Sequence, residues 1–97
     1  MNLAPLDIAG RIPRLRTAMA ENDLPALLVT KLANVRSLTG FTGSAGTLFV
    51  SADEALFVTD GRYRTQSQEQ ITEAAVSARV EIGLTMANQR EILAEVV

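Results

Sequence analysis

The residues whose types and spacing suit ligand chemistry lie between positions 40 and 63. Three glycines stand at 40, 43 and 46 in "GFTGSAG", and "DGRY" follows at 60–63. A Walker-type loop needs G-x-x-x-x-G-K-[ST], because its lysine reaches the outer phosphates and its hydroxyl holds magnesium. Here no two glycines enclose four residues, and no lysine follows. A dinucleotide loop needs G-x-G-x-x-G after a strand and before a helix. This loop is G-x-x-G-x-x-G and precedes an apolar, strand-like run, "TLFV". Both phosphate readings fail on spacing. The glycines then read as suppliers of positive φ or of close packing in a loop entering a strand. Loops on a rigid sheet also present functional groups. The D-G pair of "DGRY" is a turn signal, and Arg62 behind it reads by itself as a solvated arginine at a helix start.

Other chemistries are excluded by composition. The chain has no histidine and no cysteine. A Ser-His-Asp arrangement, a cysteine nucleophile and a thiolate zinc site are therefore impossible within it. The commonest metal ligand and general base near neutral pH is also missing. Nine basic and 11 acidic residues leave a net charge of −2. That balance provides no basic footprint for nucleic acid and no polybasic attraction to a membrane. No apolar run approaches the ~18 residues of a spanning helix. The start, "MNLAPLDIAGRIPRL", lacks an apolar core followed by a small-residue cleavage site, so a cytoplasmic address is expected.

The elements that must position these residues follow from periodicity. Ile8, Ile12, Leu15 and Met19 recur at helical spacing, and Pro13 puts the regular start near Ile12 or Pro13, with residues 7–11 as a lead-in. "PALLVT" (25–30) reads as a buried strand, and Leu32, Val35 and Leu38 suit a short helix. "TLFVS" and "ALFVT" make a hairpin around "ADE". Asp60 can cap the following helix, whose stripe runs Tyr63, Ser67, Ile71 and Ala74. Alternation from Val76 to Ile82 predicts a half-exposed strand near an edge, and Thr85 can cap a last helix. With 97 residues, 47% of them apolar, the chain suits one α/β domain with a mixed sheet and flanking helices.

Taken together, "NVRSLTGFTGSAGTLFV" and "ALFVTDGRYRTQ" (34–66) closely resemble the amino-terminal domain of Xaa-Pro aminopeptidases, in the wider family of creatinase, prolidase and methionine aminopeptidase-like enzymes. The resemblance covers essentially the whole chain. Ser37 departs from it where an aromatic residue is common, and Pro13 in the opening helix is a second oddity.

The resemblance implies the creatinase/aminopeptidase P amino-terminal architecture, which is ribonuclease H-like. It implies that residues 1–97 are a non-catalytic domain and a fragment. The missing "pita-bread" domain would carry two divalent metal ions, manganese, on Asp, His and Glu, and would release the first residue from peptides with proline second. No cofactor is expected in this chain. The implied roles are to gate peptide access and to support a homo-oligomer, with no nucleic-acid or membrane partner. Arg62 carries over as a peptide contact. Asp60 would orient it or only cap the helix. Phe41 would either face a partner subunit's active site or anchor packing. Tyr63 reads as core, and Arg36 and Arg64 as solvated. The alternative is a free-standing interaction domain that shares the fold without peptidase activity.

Overall fold

Pro13 sits in the first turn of the opening helix, where a missing N–H costs nothing because the first four lack partners. In a computed structural model of the chain, which describes residues 8–83 and 85–94, this helix α1 spans Arg11–Glu21. It begins one residue before the predicted start; Asp7, in the predicted lead-in, lies outside the described residues. Ile12 and Met19 are buried on one face, two turns apart. The chain then turns through Asp23 at φ 56°, and the Leu24 N–H returns to the Met19 carbonyl at 2.8 Å.

Strand β1 is Ala26–Val29, helix α2 is Leu32–Thr39, and strands β2 (Thr47–Ser51) and β3 (Ala55–Thr59) form the hairpin. The hairpin joint closes with the Ser51 N–H on the Glu54 carbonyl at 2.9 Å. A 3-10 turn, Gly61–Tyr63, leads into α3 (Arg64–Glu73), then β4 (Arg79–Ile82) and α4 (Met86–Ala94). Thr85 caps α4 as its sequence suggests, its hydroxyl accepting the Asn88 N–H at 3.0 Å. The element order is the predicted one.

One mixed sheet runs β1-β2-β3-β4. The β1–β2 and β2–β3 pairs are antiparallel; β3–β4, joined through α3, is parallel. Register places Leu48 against Phe57 and Val50 against Ala55 on one face, and Phe49 against Leu56 on the other. The first face packs with Ile12, Met19, Val35 and Ile71 from α1, α2 and α3. The second packs Phe49, Leu56 and Val58 under Ile92 and Leu93 of α4. Helices therefore cover both faces, and β3 is buried at every residue. Among the described residues no helix is long and apolar enough to cross a membrane.

Two expectations need correction. "PALLVT" is an edge strand, not a buried one. Val29 faces the core at 7% exposure, but Leu28 pairs with Phe49 on the α4 side and remains 50% exposed. A run of apolar residues does not reveal which face its neighbours will cover. The last strand begins at Arg79 rather than Val76. Ala75 adopts φ 56° and the Val76 N–H turns back to the Ile71 carbonyl at 3.1 Å, so this stretch closes α3 before ladder pairing starts. Val76 and Ala78 still pack against the core, which explains their apolar alternation. The strand does lie at an edge, as predicted.

Unfolding of the chain in urea should rank two substitutions. Phe57→Ala removes a ring with 0% exposure and should cost about 3–5 kcal/mol. Leu28→Ala, at the half-exposed edge, should cost less than about 1 kcal/mol. Equal costs would contradict this assignment of core and edge.

Candidate functional site

The loop at 40–46 starts from a helix end that only glycine makes easily. Gly40 stops α2 at φ 81°, in the left-handed region, with its N–H on the Arg36 carbonyl at 2.8 Å. Thr39, fully buried, donates to the Val35 carbonyl at 2.7 Å and accepts the Phe41 N–H at 3.1 Å. That bond turns Phe41 inward. Its ring is 1% exposed, 4.8 Å from the Phe57 ring and 5.3 Å from the Tyr63 ring, edge to face with the latter at 86°. Such offsets let ring edges meet ring faces favourably.

Gly43 then lies directly on these rings. A Cβ there would sit 2.2 Å from Phe41 Cζ and 2.9 Å from Tyr63 Cε1, closer than atoms can pack; Gly46 stands in the same way against Phe57. Gly43 and Gly46 thus seat the loop backbone on aromatic rings, while Gly40 supplies the left-handed turn. The loop's polar groups are also engaged. Gln70 Oε1 accepts the Thr42 N–H at 3.0 Å, and Gln70 Nε2 and Gln66 Nε2 donate to Thr42 Oγ1 at 2.9 and 3.2 Å. The Tyr63 phenolic oxygen accepts the Ser44 N–H at 3.1 Å and lies 2.6 Å from Ser44 Oγ. Thr59 Oγ1 donates to the Ala45 carbonyl at 2.6 Å. Amides committed to side chains cannot converge on a phosphate.

The arginine turn sits beside this loop, at the carboxyl end of β3. Asp60 accepts three groups of Arg62: the backbone N–H at 3.0 Å, Nε at 3.1 Å and Nη2 at 2.8 Å. It caps the turn and orients the guanidinium at once. The hydrogen bond from Arg62 holds the Asp60 carboxyl below its usual range, and Asp60 in return raises Arg62. Arg62 Cζ also lies 5.0 Å from the Tyr63 ring centroid, within cation–π reach. A guanidinium has five N–H donors. Asp60 engages the Nε–Nη2 edge. The outer Nη1–Nη2 edge meets no partner among the described residues, and the side chain is 67% exposed. That edge matches a carboxylate or a peptide carbonyl.

The structure brings Asp60, Arg62 and Tyr63 together, with Phe41 beneath them. Within this chain Phe41 takes the packing role of the two considered for it. Tyr63 lies against the core, as its sequence suggests, and it also carries the hydroxyl on Ser44. Arg36 and Arg64 are exposed. Arg36 lines an open groove of about 330 Å³ with Leu32, Ala33, Phe41 and Thr42–Ser44. Ser37, where the motif departs from the resemblance, receives Arg11 Nη1 at 2.8 Å on both its carbonyl and its hydroxyl. Sequence reasoning missed Thr42, Ser44, Gln66 and Gln70. Only the i,i+4 spacing of the two glutamines on α3 hinted at a shared partner. Among the described residues no cluster of three or more Asp or Glu can hold a metal ion.

Known proteins share this architecture. The family described as "Creatinase/Prolidase N-terminal domain" matches residues 11–97. The chain is 41% identical over 61 residues to an uncharacterized peptidase, YqhT, of Bacillus subtilis, covering 63% of this chain and 17% of that protein. It superposes on the N-terminal domain of the cytoplasmic peptidase PepQ from Mycobacterium tuberculosis with a TM-score of 0.68 at 42% identity, covering 76% of this chain and 55% of that one. On an Xaa-Pro aminopeptidase from Streptococcus pyogenes the TM-score is 0.79 at 29% identity, covering 92% and 64%. The chain spans less than a fifth of the length of the curated relatives it matches.

Two measurements check the site's geometry. Gly43→Ala should destabilise the chain by about 1–3 kcal/mol, because the added methyl must displace two rings; an unchanged urea midpoint would refute that contact. The Asp60 carboxyl, followed by NMR, should titrate below its ordinary 3.8, and Arg62→Gln should return it toward that value. Since the folded value is lowered, the pair's contribution is present above the unfolded pKa and is lost as pH falls through the folded one. A midpoint indifferent to Arg62→Gln would break the pair.

Proposed function

Because the chain belongs to the creatinase/prolidase N-terminal domain family, we propose that it serves as the non-catalytic domain of a metal-dependent Xaa-Pro aminopeptidase, gating peptide access and supporting a homo-oligomer in the cytoplasm. The whole enzyme would release the first residue from peptides with proline second. The observation that carries the gating role is the unengaged outer edge of Arg62, exposed but held in one orientation by Asp60.

The metal does not fit this chain. There is no histidine or cysteine in the sequence, and no acidic cluster among the described residues. Two divalent ions, manganese, would be held by Asp, His and Glu of a catalytic domain outside these residues, supplying the activated water for peptide hydrolysis. What this chain supplies is position. The Asp60 carboxylate takes one edge of the guanidinium and the Tyr63 ring lies under it, so little rotamer freedom remains to be lost on binding. A peptide carbonyl or carboxylate would meet the free edge. Phe41 would act through the loop it anchors, since its own ring is buried.

In the enzyme carrying this domain, Arg62→Ala should lower kcat/KM for an Xaa-Pro tripeptide about tenfold to a hundredfold. Metal content and melting temperature should not change. Arg62→Lys should recover only part, since an ammonium does not reproduce the fork. Residues 1–97 alone should not hydrolyse the peptide, with or without manganese. Unchanged kinetics for Arg62→Ala would remove the arginine from the peptide path. Metal-dependent turnover by the isolated chain would overturn the non-catalytic assignment.

A further inference from the structure

Tyr63 makes more contacts of different kinds than a core residue needs. Its ring packs edge to face with Phe41 at 5.3 Å, and the Arg62 guanidinium lies 5.0 Å from its centroid. Its hydroxyl meets Ser44 twice, at the backbone N–H and at Oγ. The glycine loop and the arginine turn are separate in sequence and belong to different elements. This one side chain touches both.

We propose that the Tyr63 hydroxyl, through Ser44, is a positioning device that sets the glycine loop at a fixed distance from Arg62, so that the two form a single peptide-binding rim. This rests on the peptide-binding reading of Arg62. Ser44 also lines the open groove that holds Leu32, Ala33 and Arg36. A shift of Ser44 therefore changes the width of that groove and the gap to the guanidinium together.

The location of the bond separates position from stability. Ser44 is exposed, and the bonds to Tyr63 lie at the surface. Water can replace them when the hydroxyl is removed, so the folded state loses little. The ring contacts and the cation–π geometry survive in Tyr63→Phe. The loop would keep its seat on the Phe41 ring and its bonds to Gln66 and Gln70, but it would lose the tie nearest the arginine. An interaction with small effect on stability and direct effect on geometry should appear in substrate binding, not in melting.

The hydroxyl bonds also stabilise the ionised phenol, lowering the Tyr63 pKa from its ordinary 10.0, with the Ser44 hydroxyl the largest cause. The facing charged groups are Arg62, which adds to the lowering, and Asp60, which opposes it. Either protonation state keeps a bond to Ser44, because a serine hydroxyl can donate as well as accept. The tie therefore holds across neutral pH.

The test is a double-mutant cycle in the whole enzyme, with Tyr63→Phe, Ser44→Ala and both, read by steady-state kinetics on an Xaa-Pro tripeptide and by melting curves. Tyr63→Phe should raise KM about threefold to tenfold, the span of one net hydrogen bond, and Ser44→Ala, which keeps the backbone N–H on the phenol, should raise it less, with kcat and melting temperature little changed in both. The double variant should be no worse than Tyr63→Phe, which already removes both bonds to Ser44. Ser44→Thr, which keeps a hydroxyl, should restore KM. Unchanged KM in Tyr63→Phe beside an impaired Arg62→Ala would overturn the proposal and leave the peptide-binding reading standing. An Arg62→Ala enzyme with normal kinetics would instead remove that reading itself. Fully multiplicative effects in the double variant would also overturn the proposal. If Tyr63→Phe lowers the melting temperature substantially, a raised KM for Ser44→Ala with normal melting supports the tie, and an unchanged KM for both variants, measured below their melting transitions, refutes it.

Discussion

The burial of Phe41 is the constraint on which the rest of this structure depends. A loop residue with a 1% exposed ring joins the glycine segment to the core through Phe57 and to the arginine turn through Tyr63. Once that ring is inside, the loop has little room. Gly43 has to lack a side chain because the rings occupy its Cβ position. Thr42 and Ser44 are carried over α3 and Tyr63, where Gln70, Gln66 and the phenol satisfy them. A loop that would otherwise wander is set by one hydrophobic anchor and then tuned by polar bonds at its surface.

The same arrangement separates what must be rigid from what must be free. The Asp60 carboxylate bonds Arg62, and that hydrogen bond lowers its pKa. Arg62 uses only one edge on Asp60. An isolated exposed ion pair contributes little to stability. Its value here is orientation, because a guanidinium held on one side presents a defined second side. The carboxyl end of β3, beside the parallel β4, is also where α/β sheets present ligand groups.

The sheet supports this division. β3 is central and buried throughout, so the turn leaving it inherits a fixed starting point. The half-exposed strands β1 and β4 stand at the edges, and β4 ends beside that exit with Ile82 against Thr59. The curated relatives that the chain matches are several times longer than the matched segment.

Much of this was legible in the residues alone. Periodicity placed every helix and strand in order, because burial on one face imposes a spacing that survives in a single sequence. The failed glycine spacing excluded a phosphate loop, the D-G pair marked a turn with Asp60 as a cap, and Arg62 was singled out only by the resemblance its motif carries. The edge position of β1 was not legible, since "ALLV" reads the same whether α4 covers it or not. The delayed start of β4 was hidden because Val76 and Ala78 pack on the core without pairing. The roles of Ser44, Gln66 and Gln70 were hidden as well: their partners lie 19 to 28 residues away, and polar residues carry no periodic mark of whom they meet. Local spacing determines which face a residue turns inward. Only the folded chain decides which distant groups that face meets, and here it brought the loop, the arginine and the tyrosine together.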